Sequence, residues 1–104
     1  METPPYPRMA QGLRLTETER ARVILTLARD PQGRDVIQGG GGLRKRRIAR
    51  DGGGKSGGLR VFWFYVGEHK PVFLVAVIGK EKAENISAEQ LAVLRSIGEK
   101  LKEE

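Results

Sequence analysis

Two kinds of apolar periodicity, separated by a polar, glycine-rich middle, organise this chain. Ala21, Ile24, Leu25 and Ala28 fall on one stripe at helical spacing, opened by Thr16-Glu17-Thr18-Glu19, which has the spacing of a capping box, and stopped by Asp30-Pro31. This predicts a helix over 16–29. Leu91, Leu94, Ile97 and Leu101 form a second stripe after the capping tetrad Ser87-Ala88-Glu89-Gln90 and predict a C-terminal helix over 87–102. Leu59–Val66, reading Leu-Arg-Val-Phe-Trp-Phe-Tyr-Val, is a β-branched and aromatic run that predicts a strand in a core. Val72–Ile78 is apolar at nearly every position, so a central strand covered on both faces is expected there. Leu43–Arg50 is a third strand, and Gly67-Glu68-His69-Lys70 supplies the tight connection of an antiparallel meander.

Pro4, Pro5 and Pro7 remove backbone donors and fix φ in the first fifteen residues. Residues 1–15 are therefore expected to be an irregular arm or a shortened first strand. The expected fold class is α/β in the α+β sense. One compact domain over 1–104 holds a twisted antiparallel sheet of three or four strands, with the N-terminal helix or helices on one face and a C-terminal helix.

Charge changes this picture by singling out one region. Arg44, Lys45, Arg46, Arg47, Arg50, Lys55 and Arg60 oppose only Asp51 between Val36 and Gly67, so this window nets +6, the same excess as the whole chain. Everything outside it is balanced. Such concentration suits a polyanion bound through phosphate contacts and counterion release. A solvated face or a disordered basic tail is the plainer reading, but the block is internal and runs into a strand, which fixes it to a sheet.

The glycines invite two nucleotide motifs, and neither fits. Gly52–Gly57 satisfies G-x-G-x-x-G, yet a strand follows it where a helix is needed, and the P-loop glycine required five residues before Gly54 is Ala49. Glycines in a hairpin loop more simply permit close approach of another backbone. The chain has no Cys, and His69 is its only histidine, so neither a disulfide framework, a metal site nor a Ser-His-Asp arrangement is expected. No cofactor is implied. No apolar run has the length of a bilayer span, and Met1–Leu15 lacks the apolar core of a secretory signal, so a soluble, cytoplasmic protein is expected. Any chemistry must be run by Lys and Arg.

Asp30–Arg50, then Gly54-Lys55-Ser56-Gly57-Gly58-Leu59-Arg60, then Leu74–Lys80 resemble the HigB-type toxins of the RelE superfamily of type II toxin–antitoxin systems. The match runs over roughly 16–102. The resemblance implies a compact α/β toxin that enters the ribosomal A site, cuts mRNA without a metal, and is held inactive by a cognate antitoxin of helix-turn-helix, HigA-like type. No membrane is implied. Carried over residue by residue, the family's catalytic positions fall on Lys45, Lys55, Arg60 and Lys80, and RNA contacts on Arg44 and Arg47, with Arg46 and Arg50 added as cations facing RNA or antitoxin. Lys55 is expected to be the base and Arg60 the phosphate clamp.

This chain departs from the pattern at three places. Ile78 stands where the family carries Tyr, Trp63 and Phe64 stand where it often has a Tyr pair, and only Glu2-Thr3 matches the end of its first strand. The alternative function is therefore a non-catalytic relative, either a ParE-like gyrase inhibitor or an RNA- and ribosome-binding module.

Overall fold

The computed structural model describes residues 1–33, 35–50, 58–65, 67, 72–79 and 86–103. Its elements are α1 (Tyr6–Gly12), α2 (Glu17–Arg29), β1 (Asp35–Val36), β2 (Leu43–Ile48), β3 (Leu59–Phe64), β4 (Phe73–Gly79) and α3 (Ala88–Glu103). The strands form one antiparallel sheet in sequence order, with β3 inside.

Both capping boxes form as their spacing requires. Thr16 Oγ1 accepts from the Glu19 N–H at 3.1 Å while the Glu19 carboxylate accepts from the Thr16 N–H at 3.0 Å. Ser87 and Gln90 make the same reciprocal pair at 3.1 and 2.9 Å to open α3. Period-two alternation then sorts the core into two layers. Leu59, Val61 and Trp63 of β3 meet Tyr6 and Ala10 of α1 and Val23 and Leu27 of α2 on one face. Phe62 and Phe64 meet Leu94, Ile97 and Leu101 of α3 on the other.

A bulge shapes β4. Phe62 lies opposite Ala76 and Trp63 opposite Leu74, which leaves Val75 as an extra residue. Leu74 and Val77 consequently face α1 and α2, whereas Val75, Ala76 and Ile78 face the α3 side.

Three expectations need correction. Residues 6–12 are a helix, not an irregular arm, because a proline in the first turn leaves no hydrogen bond unmade, and Tyr6 and Ala10 then lie one turn apart, both buried. The shortened first strand is reduced to one parallel bridge of Glu2 to Leu74, in which Thr3 N–H donates to the Leu74 carbonyl at 2.8 Å. The apolar strand at 73–79 is the last of the sheet, not a central one; α1, α3 and this bridge cover it, so its apolar run records coverage and not rank. The connection at 68–70 lies outside the described residues.

The tetraglycine run is a tight turn. Gly39, Gly41 and Gly42 take φ of 76°, 65° and 99° between β1 and β2, and the Ile37 N–H donates to the Leu43 carbonyl at 2.9 Å across it. Lys102 Nζ ties α3 to this turn through the Gly41 carbonyl at 2.7 Å. No described helix is long and apolar enough to cross a membrane.

Candidate functional site

Strand β2 divides the basic block by parity. Leu43 and Ile48 anchor its two ends in opposite core layers, so Lys45 and Arg47 project on the α3 side of the sheet, and Arg44 and Arg46 on the α1–α2 side. Arg60 stands directly opposite Arg47 in the β2–β3 ladder and shares its face. On β2 and β3 the α3 helix packs with Leu43, Phe62 and Phe64, and of the cations on that face Lys45 and Arg60 are half-buried and Arg47 is exposed.

Among the described residues no acid or carbonyl engages Lys45, Arg47 or Arg60, and Arg60 Nε is buried without a hydrogen-bond partner. Guanidinium keeps its charge in any surroundings, so the orphaned donor is not relieved by deprotonation. A buried donor left unpaired costs about 1–3 kcal/mol. Two like charges directly opposite in a ladder add repulsion. An anion bound between Arg47 and Arg60 removes both costs. The three cations, with Asp35 and Arg46, line a hollow of about 180 Å³, which suits one phosphate group.

The other sequence-predicted residues are committed elsewhere. The Arg44 guanidinium lies 5.7 Å from the Tyr65 ring centroid and donates to the Gln32 carbonyl. Arg46 pairs with Asp30 at 3.3 Å on an exposed surface, an interaction of about 0–1 kcal/mol. Arg50 donates through Nε to Glu19 at 3.0 Å and to the Leu13 and Arg14 carbonyls, which clamps the α1–α2 corner to the end of β2. Glu19, 4% exposed, is thus neutralised as well as used for capping. Lys55 and Lys80 lie outside the described residues. Trp63 and Phe64 are both fully buried, and the Trp63 indole N–H donates to the Pro31 carbonyl at 2.7 Å.

The protein-family model described as the RelE toxin of the RelE/RelB toxin–antitoxin system matches residues 3–104. This chain belongs to the RelE toxin family. The three helices and four-stranded antiparallel sheet of the toxin accord with that fold. As the toxin of a toxin–antitoxin system, it has an antitoxin as its partner.

Sequence reasoning missed one residue of the toxin's basic face. Asp35 of β1 stands opposite Lys45 in the ladder and is the acid in the hollow of cations. Nothing in the local pattern marks it, because a two-residue strand has no periodicity to read.

Proposed function

We propose that this toxin is a ribosome-dependent mRNA endonuclease of HigB-like type, acting in the cytoplasm in the ribosomal A site and restrained by a helix-turn-helix, HigA-like antitoxin. The observation that carries the reading is the convergence of Lys45, Arg47 and Arg60 on one sheet face, where their side chains have no hydrogen-bond or ion-pair partner among the described residues. Cleavage by the ribose 2′-hydroxyl requires removal of its proton, stabilisation of charge on the pentacoordinate phosphorus, and a proton for the departing 5′-oxygen. Arg47 and Arg60 suit the second task, since a guanidinium holds phosphate oxygens bidentately and never loses its charge. An amine that exchanges a proton suits the first and third tasks, which are assigned to Lys55 and Lys45. Lys80 is assigned a supporting contact to the same phosphate, and Arg44 and Arg46 an outer RNA surface.

The test is primer-extension mapping of a reporter mRNA on translating ribosomes with purified toxin. Discrete cuts within A-site codons, lost in Arg60→Ala, are expected.

A second reading draws on Ile78, which lies across from Arg60 and offers no hydroxyl. It makes the chain a non-catalytic relative, a gyrase inhibitor or a ribosome-blocking module. Growth arrest with intact mRNA in the same experiment would establish it over the first.

A further inference from the structure

A second, larger hollow adjoins the phosphate-sized one. It has about 390 Å³ and is lined by Asp30, Gly33, Asp35, Lys45, Arg46 and Trp63. Asp35, Lys45 and Arg46 border both hollows, so the two open into each other over the β1–β2 edge. Their charge differs in kind. The smaller hollow has four cations against one acid, whereas the charged groups of the larger cancel, two carboxylates against two cations. A phosphate suits the first. A polar but uncharged group suits the second.

The polar groups of the larger hollow are not equally available. Asp30 already accepts from Arg46 and from the Gly33 N–H, each at 3.3 Å. Arg46 is held by that pair. Asp35 and Lys45, by contrast, are cross-strand neighbours on one face and, among the described residues, neither side chain has a hydrogen-bond or ion-pair partner. The hollow therefore presents one free carboxylate beside one free ammonium. Gly33 packs against the Trp63 ring so closely that a Cβ there would meet the ring at 3.0 Å, and Trp63 itself is fully buried.

We infer that this hollow is a nucleobase subsite that reads guanine, with Asp35 and Lys45 as the reading pair. The inference rests on the RNA-binding role of the adjoining cations and names what that site selects. Guanine is the base whose Watson–Crick edge sets two adjacent donors, N1–H and the 2-amino group, beside an acceptor, O6. A carboxylate takes the two donors together and the lysine ammonium donates to O6. Adenine, cytosine and uracil each set a single donor group on that edge, with acceptors beside it. The edge of an unpaired base is free to be read in this way.

Trp63 is the only tryptophan of the chain and borders the hollow, so its fluorescence and its indole N–H resonance report occupancy. The experiment titrates the toxin with guanosine, inosine and adenosine 3′-monophosphates and with inorganic phosphate, following Trp63 and the backbone amides of Gly33, Asp35, Lys45, Arg47 and Arg60. Guanosine 3′-monophosphate is expected to bind about tenfold tighter than the inosine compound, which lacks the 2-amino group, and to shift both hollows. Inorganic phosphate is expected to shift only Arg47 and Arg60. Asp35→Asn, nearly isosteric on an exposed strand, should erase the guanine preference while phosphate binding persists. Nucleotides that bind with equal strength, or a preference that survives Asp35→Asn, overturn the base subsite and leave the phosphate site standing. If neither phosphate nor any nucleotide moves Arg47 and Arg60, the RNA surface itself is wrong and the subsite falls with it.

Discussion

Arg60 and Ile78 stand directly opposite each other in the β3–β4 ladder, and Arg47 faces Arg60 from the other side, so the row Arg47–Arg60–Ile78 crosses three strands of the sheet. Two unneutralised cations thus end against an apolar side chain. A group kept for folding would not be arranged this way, since Arg60 adds like-charge repulsion and an orphaned Nε to the folded state. Arg60→Met keeps the aliphatic stem and removes both costs. Its thermal midpoint is expected to equal or exceed that of the wild type, while mRNA cleavage falls by about a hundredfold or more, the usual loss for one charge-stabilising group. A loss of stability comparable to the loss of activity would make Arg60 a structural residue.

The same relationship makes Ile78 the place to restore a hydroxyl. Ile78→Tyr sets a phenol beside Arg60, where it can donate to a phosphate oxygen or a departing alkoxide. A positioned proton donor contributes about a hundredfold or more to such a step. Cleavage rates of the two proteins at saturating ribosomes are the measurement, and a gain of that order is expected. Equal rates would mean that the row already has all the acid catalysis it uses.

Arg50 belongs to the basic block in sequence and to the α1–α2 corner in structure. Removing its guanidinium breaks its ion pair with the buried Glu19 carboxylate, which costs about 3 kcal/mol. For a chain of this length that corresponds to a fall of roughly 10–20 °C in the thermal midpoint. Arg50→Gln is therefore expected to lower stability sharply and leave the salt dependence of RNA binding unchanged. Arg47→Gln should do the reverse, flattening the slope of log affinity against log salt by about 0.7 for the phosphate it no longer neutralises.

What the sequence disclosed follows from how local each signal is. α2 and α3 were legible because a capping box and an apolar stripe are both written within a few turns, and β3 because its aromatic run has no other stable use. α1 escaped notice since Pro4, Pro5 and Pro7 read as breakers, although a proline in a first turn is harmless and the spacing of Tyr6 and Ala10 was there to be seen. The site was half legible. That cations gather at 44–60 is plain, but the division of Lys45 and Arg47 from Arg44 and Arg46 depends on which face α3 covers, and the partner of Arg50 lies 31 residues away at Glu19. Neither is a local fact.

Tyr6 gives the toxin a pH dependence on the alkaline side. Its hydroxyl is held above the ordinary tyrosine pKa of 10.0, first by burial and then by the Glu2 carboxylate, with Arg20 acting in the opposite direction. The folded state therefore keeps the phenolic proton where the unfolded chain releases it. Sign follows directly: the contribution is fully present below about pH 10 and is lost as pH rises from there through the raised folded value, at up to about 1.4 kcal/mol per pH unit. Tyr6→Phe has no proton to release. Urea unfolding of both proteins from pH 8 to pH 11 should show the wild type losing stability faster above pH 10, and parallel curves would mean that Tyr6 titrates normally.

The docking of α3 hinges on Gly98. This residue is buried in the helix, and a Cβ added to it would overlap the Phe64 ring, itself only 1% exposed and held in the central strand. Alanine is the better helix former by about 1 kcal/mol, so on propensity alone Gly98→Ala should stabilise the toxin. Packing opposes it. Phe64 is buried in the cluster that holds Leu43 and Leu94, and an overpacked core position costs about 1–3 kcal/mol. Packing is expected to win, with a net loss of up to about 2 kcal/mol concentrated in α3. Amide exchange across 88–102 should accelerate by tenfold or more while exchange in β3 changes little, because the rest of the fold does not depend on this contact. Phe64→Leu in the same chain shortens the obstructing ring, and the double variant should recover part of the loss. A Gly98→Ala toxin as stable as the wild type would show that α3 rests on the sheet without touching Phe64 closely.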